Sequence, residues 1–161
     1  MALRLSKALR TKLLEGTAGF KQLFTNSVLD IRSGIIPADA DTVETGTLLA
    51  RIVVGFATFG TDGTGGGTCG TGLNFGTAAS GVLPKENTAW AGTGITLGTA
   101  SWFRFYDKNI QMGTLGTSGT DVRFDGACGE IIGGDLNLVS LVISSAGTTT
   151  IDSFTITQPA S

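Results

Sequence analysis

Residues 99–107, TASWFRFYD, give the clearest indication of the fold. Trp102, Arg104 and Tyr106 alternate in this stretch with two phenylalanines, so the two sets would lie on opposite faces of a β-strand. Such alternation is typical of a strand that has one face toward a core. We therefore predict a strand here, with the phenylalanines on one face and the other three side chains on the opposite face.

Similar short runs of apolar and β-branched residues occur on both sides of this strand, separated by Gly-rich and Thr-rich turns. Together they predict roughly seven or eight strands and an all-β fold, a β-sandwich or jelly-roll-like arrangement with a short N-terminal helical segment. A parallel α/β fold is disfavoured because no helical periodicity occurs after residue 27. The other main predicted strands are residues 28–33, 47–59, 121–126, 135–145 and 148–158.

The last two predicted strands are separated only by Ala146 and Gly147. A connection this short is typical of a β-hairpin. We therefore expect residues 135–145 and 148–158 to pair with each other.

The composition agrees with one globular β-domain. The chain has 161 residues, of which 25 are Gly and 24 are Thr, and a length of this order corresponds to one domain. Charged residues make up 15% of the chain and hydrophobic residues 41%, so there is enough apolar material for a core. A weakly charged, Thr-rich surface suits a protein that works packed against other subunits.

The N-terminal segment differs from the rest because its composition favours a helix. Residues 2–15, ALRLSKALRTKLLE, contain neither Gly nor Pro. Leu5, Leu9 and Leu13 recur every four residues and form one apolar stripe. Gly16 is placed to end the helix.

Charge is divided unevenly along the chain. Residues 1–32 carry six basic and two acidic residues, a net charge of +4, whereas the remainder carries five basic and eleven acidic residues, a net charge of −6. We predict a helical arm over residues 1–27 and a β-sandwich domain over residues 28–161. The helix either caps the β-domain, with a solvated basic face, or docks on a neighbouring subunit with its basic residues toward an acidic partner. The predicted partner-contact residues are Arg4, Leu5, Lys7, Leu9, Arg10, Lys12 and Leu13.

The reactive side chains present argue against catalysis. Histidine is absent, which removes His general bases, His-activated nucleophiles and His metal sites but leaves carboxylate and lysine chemistry open. The glycine-rich tract of residues 61–72 lacks the lysine of a phosphate-binding loop. Asp39, Asp41 and Glu44 match a calcium loop only in fragments, so they predict a solvated loop, with an adventitious ion as the alternative. We predict no enzyme activity, no catalytic residue, no cofactor and no metal site.

Three other residues have both a structural and a functional interpretation. Trp90 stands among polar residues in a predicted loop, and it is a candidate for ligand contact, whereas the other aromatic residues are expected in the core. Cys69 and Cys128 are predicted to be free thiols rather than a disulfide, as cytosolic synthesis favours.

No apolar run is long enough for a signal peptide or a membrane span. The acidic β-domain does not favour nucleic-acid binding.

A series of sequence blocks resembles a group of small tailed-bacteriophage proteins. The blocks are a short helix, a strand followed by SGxxPAxAD, then TGTLL, a WFR strand, a GxDLNL strand and a terminal SFTIT-P. The resemblance covers most of the chain, although the glycine-rich tract around Cys69 departs from it. It implies a role in the virus particle and carries over no catalytic or binding residue. The matching positions are Ser33, Gly34, Pro37, Ala38, Ala40, Asp41 and residues 45–49, 102–104, 134–138 and 153–159.

The resemblance implies a virion structural protein, and the favoured role is a capsid decoration (cement) protein that binds and stabilises the head shell. The alternative is a structural protein of the tail, baseplate or tail fibre, with binding to a host surface. The expected partners are other virion proteins, above all the major capsid protein, and further copies of the same chain in a homo-oligomer or lattice. We expect no nucleic-acid or membrane partner, and a location in the virion after synthesis in the host cytoplasm.

Overall fold

The computed structural model describes residues 3–16, 18–55, 72–108 and 122–158. Among these described residues, strands account for 43% and helices for 10%, which confirms the predicted all-β fold with a short helix. None of the helices in these ranges is long and apolar enough to cross a membrane. The elements are β1 (Arg4–Leu5), α1 (Lys7–Glu15), α2 (Phe20–Leu23), β2 (Val28–Arg32), β3 (Leu48–Val54), β4 (Val82–Pro84), β5 (Trp90–Thr93), β6 (Gly98–Thr99), β7 (Trp102–Tyr106), β8 (Arg123–Glu130), β9 (Leu136–Leu138), β10 (Val142–Ile143), β11 (Thr148–Ile151) and β12 (Thr155–Thr157).

Eight strands form the main sheet, in the order β1-β8-β7-β2-β3-β5-β11, with β9 paired to the C-terminal part of β8. All neighbours are antiparallel except β8 and β9. Strands β9 and β11 lie at opposite ends of this sheet and yet contact each other, so the sheet curls round on itself. Two small sheets, β10-β6 and β12-β4, complete the described fold.

The predicted hairpin between residues 135–145 and 148–158 is wrong. The chain does turn there, since Ala146 has a φ of 62° and the Gly147 N–H donates to Ser144 O at 3.0 Å. However, β10 pairs with β6 and β11 with β5, while β9 and β12 pair with β8 and β4. Each segment completes a different sheet edge, and these long-range pairings override the local preference for a hairpin.

The helix in the N-terminal segment is shorter than predicted. Arg4 and Leu5 pair with β8 as strand β1, so α1 begins only at Lys7. The hydroxyl of Ser6 caps it by accepting the N–H of Leu9 at 3.3 Å. Strand pairing with β8 therefore overrides the helical preference of the first residues.

The same segment packs on the chain's own sheet. Gly16 ends α1 with a φ of 66°, as predicted. Leu9 and Phe24 are fully buried and belong to the same hydrophobic core as the strands. The division of the chain at residue 27 remains a prediction, but the residues before it share that core.

Aromatic rings fill the space inside the curled sheet. Phe105 of β7 stacks on Phe124 of β8, with ring centroids 5.0 Å apart and planes inclined by 7°. Phe154 also stacks on Phe105, with ring centroids 6.0 Å apart and planes inclined by 15°. A Cβ at Gly126 would lie 2.6 Å from the ring of Phe103, so glycine is needed there to make room. Both phenylalanines of β7 thus face the core, as the alternation predicts.

Candidate functional site: a buried charged layer and the loop that covers it

The outer face of the main sheet carries a row of charged residues. Arg51, Asp30, Arg104, Asp125 and Arg4 lie opposite one another on the adjacent strands β3, β2, β7, β8 and β1. Their charges alternate from strand to strand, so each carboxylate has an arginine on both sides. Opposite charges in such cross-strand positions stabilise the pairing of their strands.

Two of these pairs are bidentate. Arg51 Nε and Nη2 donate to the two carboxylate oxygens of Asp30 at 2.7 and 2.9 Å. Arg104 Nε and Nη2 donate to those of Asp125 at 2.6 and 2.7 Å. Asp30, Arg104 and Asp125 are fully buried. Parallel N–H···O bonds between a guanidinium and a carboxylate are the strongest form of this interaction, and they fix the geometry of both groups.

The loop that connects β2 to β3 consists of residues 33–47, and we call it the strap. Its two ends are joined because Ser33 N–H donates to Thr47 O at 3.0 Å. Gly34 and Gly46 have φ values of 84° and 69°, which favour glycine. A Cβ at Gly46 would also lie 1.8 Å from Ser33 O. Glycine at position 46 therefore allows the ends of the strap to meet.

The strap covers the charged row and bonds to it directly. The carboxylate of Glu44 accepts from Tyr106 Oη at 2.9 Å, Arg104 Nη1 at 3.0 Å and Arg123 Nη1 at 3.3 Å. The backbone carbonyl of Thr42 accepts from Arg104 Nη1 at 2.9 Å and from Arg123 Nη2 at 3.1 Å. We call this assembly the charged layer; its members are Asp30, Arg32, Glu44, Arg51, Arg104, Tyr106, Arg123 and Asp125.

Trp102 closes one side of the charged layer. Its indole N–H donates to Ser33 O at 3.2 Å, where the strap begins. The guanidinium carbons of Arg104 and Arg32 lie 5.5 and 5.9 Å from its ring centroid. Both arginines are therefore placed for cation–π interaction with a buried ring.

The strap is also bonded to the N-terminal segment. Arg4 Nη1 donates to the carbonyls of Pro37 and Ala38. The carboxylate of Asp41 accepts the backbone N–H of Lys7 through both oxygens, at 3.1 and 3.0 Å. A carboxylate at this position interacts favourably with the N-terminal end of the α1 dipole. The strap thus connects the sheet with α1.

The prediction that Asp39, Asp41 and Glu44 lie in a solvated loop is therefore only partly correct. Asp39 is exposed, and its carboxylate accepts the Thr42 hydroxyl at 2.7 Å, which lowers the pKa of Asp39. The side chain of Glu44, by contrast, is only 5% exposed and lies among arginines. The sequence shows an acidic loop, but it does not show that the loop lies on a row of arginines. Across the ranges that the structure describes, no cluster of three or more His, Cys, Asp or Glu residues could hold a metal ion.

Burial and neighbouring charges shift the pKa values within the charged layer. Burial raises the pKa of Tyr106 well above its usual value, and the carboxylates of Asp30 and Glu44 raise it further. Burial works to lower the pKa of Arg104, but the hydrogen bonds and charge of Asp125 outweigh it, so that this pKa is raised. Both groups therefore keep their neutral-pH protonation states, and their bonds persist across the physiological range.

The chemistry of this layer is structural. Its carboxylates are buried against guanidinium groups that donate to them, so they lie away from solvent and from any dissolved substrate. An arrangement of this kind fixes the relative positions of four strands (β2, β3, β7 and β8) and the strap. Charged residues at strand spacing in β2, β7 and β8 were the signal for it in the sequence.

The seven predicted partner-contact residues do not share one surface. Leu9 is fully buried, Leu5 packs against the core, and Arg4 is bonded to the strap. Lys7 and Arg10 are exposed. The remaining two, Lys12 and Leu13, are partly buried.

Leu14, which the sequence did not single out for partner contact, is 88% exposed. Together with Lys7, Arg10 and Thr11 it forms an exposed stripe at helical spacing, which we call the outer face of α1. Of the predicted set, only Lys7 and Arg10 belong to this surface.

The proposed ligand contact at Trp90 is wrong. Trp90 lies in β5, it is 1% exposed, and its ring centroid is 5.7 Å from those of Phe75 and Phe105. The ammonium group of Lys85 lies 5.6 Å from the same centroid. Pairing of β5 with β3 and β11 draws a stretch with a loop-like composition into the core.

Of the two cysteines, Cys128 lies within the described ranges and Cys69 does not. Cys128 of β8 packs against the core, and burial together with the charge of Asp135 raises the pKa of its thiol to about 12. Cys69 and the glycine-rich tract, apart from its last residue, lie outside the described residues. The predicted absence of a disulfide therefore remains a prediction.

Comparison with known proteins found no matching family model, no similar curated protein and no similar solved structure.

Proposed function

We propose that this chain is a virion structural protein of a tailed bacteriophage, and that it serves as a capsid decoration (cement) protein on the head shell. The support from sequence is the resemblance of its ordered blocks to that group. The structural observation that carries the proposal is the charged layer, which holds the strap on the sheet, while Asp41 of the strap bonds to α1. A protein that stabilises a shell must resist deformation, and a sheet braced on both faces meets that need.

The expected partners are the major capsid protein and further copies of this chain, in a homo-oligomer or lattice on the particle. Lys7 and Arg10 remain candidates for contact with an acidic partner because their side chains are exposed. Leu5 and Leu9 are not expected to contact the partner directly, because their side chains pack against the core of their own chain. Partner binding is therefore best tested by substituting exposed residues, since deletion of the segment would open the core.

The test is the copy number and location of the protein in purified phage. A decoration protein is expected in many copies per particle and in tailless heads. A few copies confined to purified tails would overturn the head assignment and favour the alternative, a tail, baseplate or tail-fibre component.

The stabilising role has a second test. Mild urea is used to strip the protein from heads, and heat release of packaged DNA is compared before stripping, after stripping and after adding the protein back. Stripped heads are expected to release DNA at a lower temperature, and added protein is expected to reverse the change. Equal heat resistance in all three samples would contradict the stabilising role.

A further inference from the structure

A compact group of apolar side chains faces solvent near β9. Ile131, Ile132 and Val139 are 74%, 80% and 76% exposed, and we call them the apolar patch. They are close together because Ile131 N–H donates to Leu138 O at 2.9 Å and Glu130 pairs with both Leu138 and Ile132. Contiguous exposed apolar residues with polar neighbours mark interaction sites on soluble proteins.

The backbone at this patch is strained. Ile131 has a φ of 62°, a conformation that β-branched residues rarely adopt. The strain is kept at a position where the side chain gains almost no burial within the chain. Such strain persists where the surrounding structure imposes it, and it is concentrated at functional positions. The patch is therefore better explained by a contact with another molecule than by the stability of the isolated chain.

The surroundings of the patch are acidic. Glu130 is exposed immediately before Ile131. Asp152 is also exposed, and it lines one shallow cleft together with Ile131 and Val139. A two-fold contact of the patch with itself would bring these like charges together, which is unfavourable. The patch is suited to a partner that presents basic groups next to an apolar side chain.

The outer face of α1 has this chemistry. Lys7 and Arg10 lie one turn apart, and Leu14 follows one turn later with 88% of its surface exposed. A nearly fully exposed leucine on the same helical stripe as two cations matches exposed apolar residues next to two carboxylates, in both polarity and charge.

We propose that the outer face of α1 in one copy of this chain docks on the apolar patch of a second copy. Leu14 lies against Ile131 and Val139, while Lys7 and Arg10 face Glu130 and Asp152. The contact joins two different surfaces, so it propagates from copy to copy and closes into a ring where the rotation allows. This inference rests on the proposed contact between copies, but it does not depend on which part of the particle the protein occupies.

The experiment is sedimentation velocity of the purified chain over a series of concentrations, at low and at high salt. Wild-type protein is expected to self-associate with rising concentration, and less so at high salt because the contact includes ion pairs. A wild type that stays monomeric at the highest concentration in low salt would overturn the proposal, while leaving the location of the protein in phage particles to be decided by copy number.

A charge exchange tests which surfaces meet. Variant A carries Lys7→Glu and Arg10→Glu, and variant B carries Glu130→Lys and Asp152→Lys; all four side chains are exposed. Each variant alone is expected to lose self-association, because its two docking surfaces then carry the same charge. An equimolar mixture of A and B is expected to associate again, since each presents the complement of the other. Circular dichroism and urea unfolding verify that both variants are folded.

The control is Lys21→Glu with Lys108→Glu, which changes the net charge as much as variant A does at two other exposed lysines. It is expected to associate like wild type. Folded A and B that associate normally when separate, or that fail to associate when mixed, would refute this pairing of surfaces. The variants Leu14→Asp and Val139→Asp supply an independent check, since each is expected to abolish association on its own.

Discussion

The two faces of the main sheet are both buried, but by different means. On the inner face, phenylalanines from β7 and β8 stack with Phe154, and their burial needs no exact pairing of atoms. On the outer face, the same two strands present Arg104 and Asp125, which are buried because the strap covers them. Each strand thus alternates between an apolar core and a layer of paired charges.

The difference lies in how each face responds to the loss of one member. An apolar core loses the transfer free energy of the missing atoms and gains a cavity. A charged layer that loses one partner keeps an uncompensated charge in a buried place. The outer face should therefore be the one where a second substitution can repair the first.

The largest expected effect is that of Arg104→Met. It leaves Asp125 buried without its bidentate partner, so the free energy of unfolding should fall by about 3–5 kcal/mol. Adding Asp125→Leu should restore part of that loss, because an apolar pair can replace a buried ion pair at little cost. Urea unfolding followed by circular dichroism measures both changes.

Phe124→Ala serves as the inner-face counterpart, with an expected loss of about 3–5 kcal/mol. Arg10→Met is the exposed-arginine control and should have little effect. If the double variant Arg104→Met with Asp125→Leu were less stable than Arg104→Met alone, a second substitution would not repair the first. The proposed difference between the two faces would then be wrong.

A smaller loss is expected for Gly46→Ala, which tests the closure of the strap. The left-handed φ of 69° costs about 1–3 kcal/mol for a residue with a Cβ, and the added methyl group would also meet Ser33 O. Gly55→Ala is a matched control, because Gly55 has a φ of 56° and no atom of the described residues lies within 4 Å of a Cβ added there. The difference in unfolding free energy between the two variants isolates the steric contact, and equal losses would argue against it.

Glu44→Gln should have a still smaller effect. The amide keeps one acceptor oxygen for Tyr106, Arg104 and Arg123 but removes the charge, which should cost about 1–1.5 kcal/mol, the difference between charged and neutral hydrogen bonds. Asp39→Asn in the exposed part of the strap should cost less. If Asp39→Asn proved the more damaging of the two in thermal unfolding, the charged layer would not be what holds the strap.

The smallest expected effect is the loss of stability caused by ionisation of Tyr106. It is zero at neutral pH and appears only in alkali. Tyr106 is the single tyrosine of the chain, and its folded-state pKa is raised well above 10. A raised folded pKa means that its contribution to stability is complete below the unfolded-state pKa of about 10 and is lost as the pH rises above that value.

Absorbance at 295 nm reports ionisation of the phenol directly. Tyrosinate should be absent from the folded protein just above pH 10 and should appear only with unfolding, which circular dichroism follows in parallel. A reversible titration near pH 10 in the folded protein would contradict the burial of Tyr106 beneath the strap.

Much of the fold follows from local patterns in the sequence. The alternation in residues 102–106 determines which side chains share a face, and the composition after residue 27 favours strands over helices. The end of α1 at Gly16 also follows from a local rule, since only a residue without a Cβ adopts the left-handed conformation freely. These features depend on neighbours in sequence and are visible without any knowledge of the tertiary structure.

The tertiary structure decided the rest, because those features depend on residues distant in sequence. Trp90 has loop-like neighbours but is buried where β5 joins β3 and β11, and the two segments around Ala146 pair with other strands instead of each other. The strap is an acidic loop by sequence, yet Glu44 is buried because arginines from β7 and β8 lie 60 and 79 residues away along the chain and directly beneath it in space. The sequence determined which faces the charges occupy, and only the fold determined that both faces of the sheet are covered, since covering a face requires contact between distant parts of the chain.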